Sequence, residues 1–243
     1  MRPRRSLLVL AVLATVLGGC GGSGGAGDNG EFVEVPGLGA TRIDVPRPTT
    51  PSREDCSLNL LTDVSLEDRV HGLRPAGLFA DRTDATDADL AAEIERSMAE
   101  TWGEIDHNDP LFELFVAEHD RTRVWWRDLE ADVSDGSEVY RSVLEEWAAI
   151  SVGVFAPTAI EERWASLDGP VTVTFEHGGT AQLLEPDHIE DWIDPRIATT
   201  INELIASSGR RFDFVKAFDQ TAFVMALTDD ERASLASRGW CFE

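Results

Sequence analysis

The feature that most constrains this chain is a strand, strand, helix order that occurs twice in its C-terminal third. Val171, Val173 and Phe175 alternate with Thr172 and Thr174, the period of a strand with one buried face. His177-Gly178-Gly179-Thr180 supplies two residues that tolerate positive φ, as a two-residue hairpin loop needs, and Ala181 to Leu184 forms the return strand. Asp194-Pro195 then opens a helix carrying Ile197, Ile201, Leu204 and Ile205, which Gly209 stops. In the second round Phe212, Phe214 and Phe218 share a strand, a turn falls near Asp219-Gln220, and Ala222 to Leu227 is apolar enough for an interior strand. Thr228-Asp229-Asp230-Glu231 is a capping box that starts a short helix running toward Gly239. Two such units predict the α+β class: an antiparallel sheet with helices packed on one face. The units share too little identity to form a sequence repeat.

Upstream, Thr86-Asp87-Ala88-Asp89 places a capping hydroxyl and acids at a helix start. Leu90, Ile94, Met98, Trp102 and Ile105 follow at helical spacing and predict one buried stripe. Leu111 to Val133 reads as a helix followed by a strand or as a hairpin, and residues 56–80 show no clean period. Ser137 is placed to cap a helix carrying Val139, Tyr140, Val143, Leu144, Trp147 and Ile150. The run Val152 to Phe155 reaches Pro157, after which Ile160, Trp164 and Leu167 suggest one or two helical turns.

The N-terminus reads as an address. Arg2, Arg4 and Arg5 precede an apolar run from Leu7 to Leu17, too short for a bilayer span and the length of a secretory signal's apolar region. The run ends in Leu17-Gly18-Gly19-Cys20, which resembles the lipobox of bacterial prolipoproteins. That resemblance implies a diacylglycerol on the Cys20 thiol and cleavage just before it. It makes residues 1–19 a signal peptide and residues 20–52 a lipid-anchored, Gly- and Pro-rich linker. Residues 53–243 then form a single α+β domain, held on the extracytoplasmic face of the cell membrane. Arg4-Arg5-Ser6-Leu7-Leu8 is also similar to a twin-arginine export signal, with Pro3 departing from that pattern, so the export route stays open. Gly21 to Gly30 formally contains Gly-x-Ser-x-Gly and Gly-x-Gly-x-x-Gly, but no strand and helix flank them, as a nucleophile elbow or a phosphate loop requires.

A hydrophobic content of 42% indicates a folded chain, and a formal net charge of −24 disfavours nucleic acid and anionic lipid headgroups as partners. The charge becomes more negative still once the signal's arginines are removed. With Cys20 taking the lipid, Cys56 and Cys241 remain as an even pair in an oxidising compartment and are expected to form a disulfide. On the chain-entropy model so long a closed loop is worth about 5 kcal/mol.

Forty-five carboxylates make paired acids inevitable, so proximity of acids in sequence says little about catalysis. Asp106-His107-Asn108-Asp109, and His188 with Glu185, Asp187 and Glu190, gather imidazole and oxygen groups without metal-site spacing; loop and cap roles account for them. Asp81 to Asp89 lacks the glycine and closing glutamate of an EF-hand, and Asp132 to Glu138 fails the same test. No metal or other cofactor is expected. Trp125-Trp126 is the most suggestive binding feature: on a strand, adjacent rings face opposite sides, so one can enter the core while the other meets a glycan or protein partner. Arg123 and Arg127 would flank it with donors. No catalytic residue stands out, since the folded region carries no nucleophile motif. A lipid-anchored binding or interaction module is therefore the expected function. An envelope hydrolase using scattered acidic residues, or a structural or cation-binding surface lipoprotein, is the alternative.

Overall fold

The computed structural model describes residues 58–131, 133–167, 169–215 and 220–243, all within one compact unit. Cys20, Cys56, and the signal and linker segments lie outside the described residues. The fold is α+β, and both strand, strand, helix units are present. They belong to two different three-stranded antiparallel sheets.

The first sheet has the order β1-β6-β5, built from β1 (Trp125–Asp128), β5 (Arg210–Val215) and β6 (Thr221–Thr228). Strand β6 is central, and its side chains divide by parity. Phe223, Met225 and Leu227 enter one core with α1 (Leu66–Leu73), α2 (Asp87–Trp102), α3 (Phe112–Glu118) and α6 (Asp229–Ala236). Ala222, Val224 and Ala226 enter a second core with Trp125 of β1, α4 (Val139–Ile150) and α5 (Ile197–Ile205). A strand buried on both faces reads as a continuous apolar run, as Ala222 to Leu227 does.

The second sheet has the order β2-β3-β4, from β2 (Thr158–Trp164), β3 (Val171–His177) and β4 (Thr180–Leu184). Val171, Val173 and Phe175 turn into the second core, and Gly178 and Gly179 take positive φ in a two-residue turn closed by the His177–Thr180 pair. Helix α5 ends through a short 3-10 turn at Gly209, which is left-handed.

Local chemistry explains where the structure departs from sequence expectation. Leu111 to Val133 resolves into a helix followed by a strand, α3 then β1, and residues 66–73 form α1 behind the Ser65 cap. Ser137 does not cap α4: Glu138 takes that position in a left-handed conformation, and the Ser137 hydroxyl donates to the Ser134 carbonyl instead. Ile160 and Trp164 lie on strand β2, because a spacing of four satisfies a period of two as well as one of 3.6. Trp102 ends α2 half exposed, since the chain turns away at Gly103 (φ 84°), and its ring meets Phe115 at 62°. Phe218 and Asp219 lie outside the described residues.

The first core encloses a charged network. Glu113 of α3 is fully buried; its Oε1 accepts from Arg238 Nε and Trp240 Nε1, each at 2.9 Å. Its Oε2 accepts from Arg238 Nη2 at 2.7 Å and Arg69 Nη1 at 3.4 Å. Arg69 also donates to the Leu61 carbonyl at 2.6 Å. One carboxylate thus joins α1, α3 and the C-terminal segment. Glu113→Ala leaves two guanidinium groups facing an empty site and is expected to cost about 3–5 kcal/mol, read as a lowered urea midpoint.

Candidate functional site

Strand β1 pairs with β6 through Trp125↔Val224, Trp126↔Phe223, Arg127↔Ala222 and Asp128↔Thr221. No strand joins its other side among the described residues, so β1 is an edge. The Leu129 amide donates to the Gln220 carbonyl at 2.7 Å. Antiparallel alternation from that bond points the Arg127 and Trp125 backbone groups toward β6, and those of Trp126 and Asp128 toward the open side.

The two tryptophans separate as their strand parity requires. Trp125 is 5% exposed, sits edge-on to Trp147 at 5.8 Å, and donates its indole N–H to Glu146 Oε2 at 2.5 Å. Trp126 is 39% exposed, its ring tilted against Phe223 at 6.2 Å. Between the strand and α4 runs a depression of about 430 Å³ whose walls include Arg121, Trp126, Arg127, Glu146 and Ala149. Arg127 Nη1 lies 3.4 Å from Glu146 Oε2. This surface offers an apolar ring, unpaired backbone groups and a charged rim side by side. Among the described residues its walls carry no Ser, Thr, Cys or Lys side chain, and their one carboxylate, Glu146, is engaged by Trp125 and Arg127.

Arg123, expected beside the tryptophans, is turned inward. It is 7% exposed and reaches the carbonyls of Gly77 at 3.2 Å and Ala226 at 3.4 Å, and Glu231 Oε1 at 3.3 Å. Arg121 replaces it on the rim and pairs with Glu118 at the end of α3. Glu118 Oε2 is buried without a hydrogen-bond partner among the described residues, and burial raises the carboxyl's pKa against the opposing effect of Arg121. A carboxyl raised on folding adds stability below its ordinary pKa, and that contribution is lost as pH rises through the folded value. Glu118→Gln should therefore gain urea resistance relative to the parent on going from about pH 4 to about pH 7.

Members of the other clusters singled out in the sequence make local contacts. Asp106 Oδ1 accepts from the Asn108 amide and Asp109 Oδ1 from the Leu111 amide, while His107 stacks on Phe112 at 4.7 Å. Asp187 pairs with Arg196, and His188 lies edge-on to Trp164. Asp87 binds Arg74 and His71, and Asp89 completes the α2 capping box. Among the described residues, no three His, Cys, Asp or Glu side chains are arranged to hold a metal ion.

Sequence reasoning missed the role of Asp194, read only as part of a helix opener. Its carboxylate is 3% exposed and accepts from the amides of Asp187 (2.9 Å) and Arg196 (3.0 Å) and from Arg196 Nε (2.9 Å). Burial pushes this carboxyl up, but the arginine and the two amides outweigh it and hold the pKa below the usual value. The Asp194 amide donates to the Tyr140 hydroxyl at 3.2 Å, and burial pushes that phenol up to about 12. Asp-Pro is common before helices, so nothing in the sequence distinguished this residue as the tie between α4 and α5.

No family model matches the chain, and no curated protein and no solved structure does either. Trp125→Ala should cost about 3–5 kcal/mol, as emptying a buried aromatic site does, whereas Trp126→Ala should cost about 1 kcal/mol. Thermal unfolding of the two variants measures the difference.

Proposed function

We infer that this protein is a lipid-anchored binding module on the extracytoplasmic face of the cell membrane, holding a protein or glycan partner along the open edge of β1. The exposure of Trp126 beside an unpaired strand edge carries the reading, because a large apolar ring at a groove with free backbone groups favours association. An anchor on Cys20 would keep even a weak binding surface concentrated at the membrane. Among the described residues no helix is long and apolar enough to cross a membrane.

The pairing of Cys56 with Cys241 belongs to the same proposal. Cys241 is 2% exposed, and the Asn59 amide, three residues after Cys56 in the sequence, donates to the Gly239 carbonyl at 3.0 Å, which supports the pairing. Reduction, or Cys241→Ser, should lower stability by about 2–5 kcal/mol.

The decisive experiment combines two readouts in intact cells. A fatty-acid probe should label the parent and fail to label Cys20→Ala, which should leave the membrane fraction. Photo-crosslinking through the β1 edge should yield a defined adduct that Trp126→Ala loses and Trp102→Ala keeps. An unlabelled parent overturns the anchor, and an adduct indifferent to Trp126 overturns the site.

A further inference from the structure

A second surface, on the opposite core from Trp125, has chemistry of its own. The last turn of α2 and the loop to α3 enclose a cleft of about 140 Å³ walled by Trp102, Ile105, Phe112 and Phe115 and rimmed by Glu104, Asp106 and Asp109. Trp102 lines this cleft while remaining 50% exposed, and it stands at 62° to Phe115 with centroids 5.3 Å apart. Phe112 is already engaged, since His107 stacks on it at 4.7 Å and the Arg69 guanidinium lies over the same ring at 5.2 Å.

Charge decides what such a cleft can take. Elsewhere in the fold three buried or largely buried carboxylates, Glu113, Asp213 and Glu231, are each matched with two arginines. At this cleft Glu104, Asp106 and Asp109 have no basic partner among the described residues. Asp106 and Asp109 each use one oxygen for a local backbone amide. Two basic side chains of this region are engaged elsewhere, His107 Nε2 lying 3.6 Å from Glu95 and Arg69 pairing with Glu113. The cleft also sits at the C-terminus of a 16-residue helix, whose unsatisfied carbonyls add negative potential.

Three ligand classes fail this combination. An anion is repelled, and a neutral apolar partner would cover three uncompensated carboxylates at a desolvation cost. A metal ion needs three or more converging ligands, which the described residues do not provide. What fits is a cation with an apolar skin, which gains from the indole face and the acidic rim together.

We propose that the Trp102 cleft is a binding site for a small organic cation of the quaternary ammonium class. Trp102 supplies the cation–π face, and Glu104, Asp106 and Asp109 supply the counter-charge. The site is independent of the β1 edge.

Calorimetric titration of the purified full chain with choline, in a detergent free of choline headgroups, tests it. Dimethylbutanol, the neutral carbon isostere of choline, is the comparison ligand. Choline should bind saturably and the isostere at least about tenfold more weakly. Trp102→Ala should weaken choline by about tenfold. The variant Glu104→Gln, Asp106→Asn, Asp109→Asn keeps the amide-accepting oxygens of the two loop turns and should weaken choline comparably. Trp126→Ala should bind it as the parent does, so failure here and failure at the β1 edge remain distinguishable. Equal binding of choline and its isostere, no saturable choline binding by a parent with native thermal unfolding, or choline binding indifferent to Trp102 or to the acidic rim would each overturn the proposal.

Discussion

The fold depends on β6. Because this one strand is buried on both sides, two apolar cores that share no helix are held against a common backbone. Its two faces are unequal: Phe223, Met225 and Leu227 fill the first core, whereas Ala222, Val224 and Ala226 leave room in the second for Trp125, Trp147 and Phe212. A one-residue slip would drive the large set against those rings and leave the small set facing the helices α1 to α3. Register is therefore strongly specified, and the same specification sets the edge strand β1 with Trp125 inward and Trp126 outward.

The acidic composition conceals how the chain uses its arginines. Arg69 and Arg238 surround Glu113, and Arg123 and Arg210 surround Glu231 at the start of α6. Burial raises the Glu231 carboxyl, but the Arg210 hydrogen bond, the Thr228 amide and Arg123 together bring its pKa below the usual value. These pairs fasten helices to one another and to the sheet, where a lone charge would be destabilising. The surplus of carboxylates is left on the surface, and at the Trp102 cleft part of it meets an exposed tryptophan ring.

Periodic and capped elements were readable from the chain: the capping hydroxyl and acids that start α2, the α6 capping box, the Gly178-Gly179 hairpin and the interior strand β6 each combine a local signal with a consistent apolar pattern. The separation of Trp125 from Trp126 followed from strand parity alone once the segment was taken as extended. Long-range facts were not readable. Neither the assignment of the two hairpins to different sheets nor the inward turn of Arg123 leaves a trace in neighbouring residues. The Trp102 cleft was hidden for another reason: helical spacing places a residue on a face but does not say whether that face continues past the helix end.

The contact between Asn59 and Gly239 gives the domain a direction. The carbonyl of Asn59 packs so tightly on Gly239 that no side chain fits between them, and two residues later Cys241 leads into Phe242, which bridges to Val215 on β5. Entry and exit of the folded chain are thus gathered near one margin of the first sheet, and the tryptophan-bearing strand lies at the other. A fusion appended after Glu243 would emerge beside the point where the described chain enters the domain, and would leave the far margin, with β1, clear.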